Sequence, residues 1–495
     1  MLDTIASING TINSFVWGIP VLSLLILTGV LMTILTKGFQ FSHVAHWCKH
    51  TIGSVFKKDV SGKNTDASSI SQFQALCTAL AATVGVGNIA GVATAIVSGG
   101  PGAIFWMWIA AIFGTMTNFS ENVLGIYYRR KNMNNEWAGG AMYYLANGVG
   151  SYNGCKQIGK ILATLFGIFA VMASFGIGNA SQVNTISSNM TSAFGIPNYV
   201  TGIVLMVLAG LVIVGGIKRI ASVTEKVVPT MVVLYLIGAV IVVISHASLI
   251  GAAFESIFAF AFGIRAIVGG AIGAAVKNAV VWGFKRGVFS NEAGLGSSVM
   301  VHSASNVKEP VRQGMWGIFE VVADTLVVCT LTALIILTSG LVDLQTGALL
   351  TDAEGSVLVS NAFANVFGPA GSAFIAIAIL LFAFSTVLGW SYYGTKAWEY
   401  LFGTKSTMIY KVVFVLFVFV GATMSLDLAW DISDTFNGLM AIPNLIGVVA
   451  LSPLVLKITK NYVDRNLKGL KVAPMLNADA KIQKAEAEAL AKQTV

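Results

Sequence analysis

The chain has 495 residues, of which 56% are hydrophobic and only 11% charged. Soluble domains carry roughly 25% charged residues, so a soluble globular protein is excluded and a polytopic membrane protein is expected. The net charge of +8 does not point to nucleic acid: the basic residues sit in short loops between apolar runs and in the tail, where membrane orientation places them.

The run 15–36 has no basic stretch before it and no cleavage pattern after it, so it reads as a retained helix. Lys37, Lys49, Lys57, Lys58 and Lys63 then mark an inner loop and place the N-terminus outside. Residues 75–97, ALCTALAATVGVGNIAGVATAIV, are long enough to cross a bilayer. Yet Gly85, Gly87 and their β-branched neighbours weaken the helix between Thr83 and Asn88. Irregular backbone at membrane depth persists only where it lines a cavity or is covered by protein. There, freed N–H groups face anions and freed carbonyls face cations. The competing reading is close helix packing through Gly87 and Gly91.

A glycine-rich turn leads to a span at 101–128, ended by Arg129, Arg130 and Lys131. Spans at 158–190, 199–217 and 227–246 follow, with Lys218, Arg219 and Lys226 inside. Residues 247–268, carrying Glu255 and Arg265, read as an external interfacial helix. The span at 270–303 contains GFKRGVFSNEAGLGSS and is interrupted again. Ordinary spans follow at 311–340, 370–398, 408–424 and 432–456. Asp343, Asp352, Glu354 and Asp427 fall outside; Lys308, Lys396 and Lys405 fall inside. The tail from Lys457 reads as a short solvated helix that serves topology and solubility. Cys48, Cys77, Cys155 and Cys329 show no metal spacing and are expected as free thiols. The expectation is eleven spans, N-terminus out and C-terminus in.

Set aside the first helix, and the two interrupted spans open two sets of five. An odd repeat gives the halves opposite topology. Paired interrupted helices of this kind point to an inverted-repeat transporter with a midplane site. A channel would need a continuous lined pore, and neither a Walker loop nor a nucleophile–base set supports an enzyme.

The segments ALCTALAATVGVGNIAGVATA, GGPGAIFWMW and FKRGVFSNEAGLGSS closely resemble the alanine or glycine:cation symporter family, over about residues 15–456. The resemblance implies an all-α LeuT-type fold of the amino acid–polyamine–cation superfamily, a 5+5 inverted repeat with one added N-terminal helix. Residues 1–70 would hold that helix and its inner loop, 71–250 the first repeat, 251–457 the second and 458–495 the tail. It implies a non-enzymatic symporter that imports alanine and glycine with sodium as the transported ion. Some relatives prefer glutamine, and proton coupling is the alternative. The expected setting is the lipid bilayer of a bacterial or archaeal cytoplasmic membrane, with the monomer as the working unit.

A zwitterion in a dry cavity needs donors for its carboxylate and acceptors for its ammonium. The first break, Thr83 to Gly87, offers the N–H groups of Gly85, Val86 and Gly87 at the positive end of a half-helix starting near Asn88. The second, placed at 289–294 with Phe289 and Ser290, offers carbonyls. By resemblance, sodium would lie on the carbonyls of Ala81, Val84 and Phe382 and the hydroxyls of Ser385 and Thr386; the alternative is that this pair bonds back to its own helix. Trp390, one turn beyond Thr386, with Phe289, Phe175 and Met172, would cap a pocket sized for a methyl group. Asn88 and Asn291 are further polar candidates, with capping as the competing role. Lys285, Arg286, Glu292, Glu121, Glu320 and Asp324 lie deep, where charge defaults to function. Asp324 is expected to pair with Lys285 or Arg286, with a second ion or a proton relay as the alternative.

Overall fold

The computed structural model describes residues 2–57, 60, 69–264, 272–424 and 427–491. Lys58, Lys63 and Arg265 lie outside the described residues, as does the Asp427 side chain. Apart from a hairpin pairing Arg130–Lys131 with Trp137–Ala138, the described secondary structure is helical. Among the described residues, eight helices are long and apolar enough to cross a bilayer, and the bent pair Gln72–Thr83 and Gly87–Gly99 makes nine. Two more expected spans are helices that miss that test. Asn198–Ile213 has only 16 residues, and Ile272–Asn291 carries Lys277, Lys285 and Arg286.

The first broken helix starts on a capping box. Ser71 Oγ accepts from the Gln74 N–H at 3.1 Å, and Gln74 Oε1 accepts from the Ser71 N–H at 3.1 Å, a device contributing about 1 kcal/mol. The helix ends at Thr83, and the chain bends by 51° before resuming. The long helix Pro369–Phe402 packs against it. That approach depends on Gly389, where a Cβ would lie 2.8 Å from Ala82 Cβ.

Four features depart from the sequence reading. Leu2–Val16 is already helical and leads into Ile19–Leu35. Gly355–Phe367 forms a helix where an outer loop is expected. The second broken helix stays helical through Phe289 and Ser290 to Asn291. Its break is the turn after Asn291, whose Oδ1 accepts the Ala293 N–H at 3.0 Å. The tail is docked, not solvated. The Ala478 N–H donates to Tyr127 O at 2.8 Å, and Glu486 meets the fully buried Arg129 at 2.7 Å. A buried guanidinium needs acceptors, and the tail supplies the acid. Burial raises the Glu486 carboxyl against the pull of Arg129.

Two ends of the bundle follow from this. One carries the 37–57 segment, Arg129 and the docked tail. The other carries the turn at Ser98–Gly102 and the Gly355–Phe367 helix.

Candidate functional site

Three stretches of helix widen into π-turns: Gly87–Gly91, Gly176–Ala180 and Val322–Cys329. Such bulges frequently mark functional positions. All three meet at the first break. Gly87–Gly91 continues it, Gly176–Ala180 precedes Gln182, and Val322–Cys329 contains Asp324.

The break itself is closed by side chains. The Gly85 N–H donates to Asn88 Oδ1 at 2.9 Å, and the Val86 N–H to Gln182 Oε1 at 3.3 Å. Thr83 Oγ1 returns to Ala79 O at 3.3 Å. Asn88 Nδ2 then donates to Asp324 Oδ1 at 2.6 Å. The other oxygen, Oδ2, accepts from Ser290 Oγ at 2.7 Å and from Thr325 Oγ1 at 2.8 Å. Asp324 therefore ties the first broken helix to the second. The expected pairing with Lys285 or Arg286 is not what the geometry shows. Lys285 instead meets Asp434 at 2.5 Å, because it faces the helix Asp427–Ala450 rather than the break.

On the opposite side lies an oxygen cluster. Thr386 Oγ1 donates within 3.0 Å of both Ala81 O and Phe382 O. Ser385 Oγ lies 2.8 Å from Phe382 O and 3.4 Å from Ala81 O. A hard cation with ligands at about 2.4 Å spaces neighbouring oxygens about 3.4 Å apart, so the set is compact enough to hold one. Back-bonding to the helix and facing the break are both true of this pair. Val84, at the start of the break, is buried beside it. Gly85 is required here: a Cβ would collide with Thr386 Oγ1.

The aromatic candidates separate. Phe289 stands against Gly87, where a Cβ would lie 3.1 Å from the ring. It lines a cavity of about 410 Å³ that also touches Val86, Ser98, Asn189, Arg286 and Glu354. Trp390 is fully buried, wedged against Gly178 and Tyr393, and does not line that cavity. Phe175 packs into Tyr410, Phe414 and Phe417, away from the break. Met172 is 46% exposed on the outside of the bundle. The last two, expected as pocket residues from the span at 158–190, do not line the cavity.

The second break is fully buried. Glu292, Gly294 and Gly296 have φ of +57°, +92° and +73°. Ser297 Oγ donates to Glu292 Oε2 at 2.5 Å, and Asn444 Nδ2 donates to Gly294 O at 2.9 Å and Glu121 Oε1 at 2.5 Å. Tyr144 in turn donates to Asn444. Glu320 pairs with His302 at 2.9 Å. Asn291 Nδ2 reaches Thr325 Oγ1 at 3.0 Å. Gln182 is the participant that the sequence reading missed. Its signal was a polar run, SQVN, directly after GIGNA in an apolar span.

A sequence profile described as the sodium:alanine symporter family matches residues 2–476. The sodium/alanine symporter AgcS of Methanococcus maripaludis is 45% identical over 93% of this chain and 98% of its own. A protein of Bacillus subtilis named a probable sodium/glutamine symporter, GlnT, is 36% identical over 95% of this chain and 93% of its own. Among solved structures, MhsT in complex with L-phenylalanine superposes with a TM-score of 0.51 at 14% identity, covering 80% of this chain and 99% of that one. That likeness carries the LeuT-type fold alone.

Proposed function

The chain belongs to the sodium:alanine symporter family, and we propose that it imports alanine and glycine with sodium by alternating access. The observation that carries this reading is the juxtaposition of Thr386 and Ser385 with the Ala81 carbonyl at the break. Sodium would sit on Ala81 O, Val84 O, Phe382 O and the two hydroxyls. Holding Ala81 and Val84 fixes the shape of the break next to it. The substrate carboxylate would then take the N–H groups of Gly85, Val86 and Gly87, displacing the Asn88 and Gln182 oxygens from two of them. The ammonium would meet the C-terminal turn of the second broken helix. The last carbonyls of a helix lack intrahelical partners and carry the negative end of its dipole, and there those belong to Phe289, Ser290 and Asn291.

The cavity reaches the break from the end bearing Ser98 and Glu354, which the distribution of basic residues makes the outer side. The opposite end is covered by the docked tail. This arrangement fits an outward-facing state in a bacterial or archaeal cytoplasmic membrane. One charge entering down 100 mV gains about 2.3 kcal/mol, and a tenfold sodium gradient adds about 1.4 kcal/mol, so no nucleotide is required.

The test is uptake of labelled alanine into proteoliposomes under an inward sodium gradient, with a potassium gradient as control. Uptake that needs sodium and is competed by glycine supports the reading. Equal uptake in both salts would remove the sodium site. Uptake of glutamine in place of alanine would keep the coupling and change the substrate.

A further inference from the structure

The cavity above the break holds a cationic group that the site does not use. Several of its other polar liners are already engaged: Thr94 Oγ1 bonds Ala90 O at 2.8 Å, Asn184 Nδ2 bonds Met424 O at 2.8 Å, and Asn189 Nδ2 bonds Ser356 Oγ at 3.0 Å; the acid Glu354 lines it as well. Arg286 is different. It lines the cavity, its Nε is enclosed and unbonded, and among the described residues it forms no hydrogen bond or ion pair. Of the two nearby acids, Asp434 and Asp431, Asp434 is taken by Lys285. The guanidinium is held between two rings, 5.3 Å from the Trp282 centroid and 5.4 Å from that of Phe289. Cation–π contacts of this kind leave its donors unspent.

Only its Nε is enclosed, the half-buried side chain lines the cavity, and a guanidinium fork matches a carboxylate. The ring beneath it, Phe289, is the same one that stands against Gly87 at the break. We propose that Arg286 forms an outer subsite in this cavity, where the guanidinium takes the carboxylate of the incoming amino acid, above Phe289, before the substrate reaches the break at Val84–Val86. This rests on the amino acid symport reading above. The residue acts in capture, so it sets apparent affinity more than turnover.

The experiment is the alanine dependence of initial uptake by the full-length protein in proteoliposomes. Wild type is compared with Arg286→Gln and Arg286→Lys, each checked for folding by size exclusion and thermal melting. Loss of a charged hydrogen-bonded contact should raise KM about ten- to hundred-fold in Arg286→Gln, with Vmax falling less than about threefold. Arg286→Lys keeps the charge without the fork and should fall between. Propionate, a carboxylate without an ammonium, should compete with alanine on wild type and not on Arg286→Gln. If Arg286→Gln does not fold, Arg286→Lys and propionate competition on wild type still decide the matter.

An unchanged KM would overturn the proposal. So would a loss of Vmax at unchanged KM, which would make Arg286 a closing element, with Glu354 across the cavity as its partner. A KM that falls several-fold when chloride is exchanged for a bulky sulfonate would make this a site for inorganic anion, and would overturn it too. Failure of wild type to take up alanine with sodium would instead strike the symport reading itself.

Discussion

The two broken helices are held in different ways. The first break is a short gap, Val84 to Val86, whose N–H groups are occupied by the side chains of Asn88 and Gln182. Those oxygens belong to side chains, which can turn away without unfolding the backbone. The second break is a turn with three positive φ values, packed around buried carboxylates and Asn444. Its geometry is written into the backbone, and residues 292–296 do not line the cavity of about 410 Å³. One break is held by side-chain hydrogen bonds, and the other by its own backbone conformation and packing. Asp324 joins them, with one oxygen on each side.

The sharpest way to break this comparison is at the first gap. Gly85→Ala places a Cβ against Thr386 Oγ1, and overpacking of this kind costs about 1–3 kcal/mol. Thr386→Val removes the hydroxyl that bridges Ala81 and Phe382. Each should lower sodium-driven alanine uptake by more than about tenfold, read as initial rate against sodium concentration. Retained rates in both would show that the oxygen cluster is only helix packing.

The joint between the breaks comes next. Asp324→Asn turns one acceptor into a donor facing Asn88 or Ser290, leaving a buried group unmatched at about 1–3 kcal/mol. The half-saturation values for sodium and alanine should rise together, by roughly tenfold. A change in only one would mean that Asp324 does not couple the two helices.

The second break should respond in stability instead. Gly294→Ala sets a residue at φ +92° with its Cβ 2.5 Å from Leu25 Cδ2, at a cost of about 1–3 kcal/mol. A lower melting temperature in detergent with an unchanged KM is the expected result. A shifted KM would make the second break a direct substrate contact.

The smallest effect lies away from both breaks, at the helix that carries Asp324. Its first turn holds Arg312, whose Nη2 lies 2.9 Å from His50 Nδ1. Burial, then Arg312, push the His50 imidazole down to about 4. A depressed histidine stabilises the fold above its ordinary value near 6.5 and loses that contribution as pH falls toward 4. Wild type should lose more melting temperature than His50→Gln over that interval. The half-exposed ring limits the difference to on the order of 1 kcal/mol. Equal pH profiles would show that the contact contributes nothing.

Much of this was legible in the chain, and the reason is local. The glycines at 85 and 87 and the charges at 285 and 286 act on their own segments, so a break and an interrupted span could be read without knowing their neighbours. Ser385 and Thr386 are adjacent and face one side of one helix. The docked tail could not be read in this way, because Glu486 looks like any solvated acid until Arg129 is found beneath it. The same holds for Gln182, a polar residue whose partner lies 96 positions away.

What the sequence determined by itself is the membrane class, the two interruptions and the family, because hydropathy and backbone preference are properties of segments. What only the tertiary structure decided is which polar group meets which. Phe289 faces the cavity while Phe175 and Trp390 do not. Asp324 takes Asn88 and Ser290 rather than a basic residue, and among the described residues Arg286 makes ring contacts but no hydrogen bond or ion pair. Those outcomes depend on helix rotation and on π-turns that shift the register of a face, and such shifts are fixed only when the helices pack.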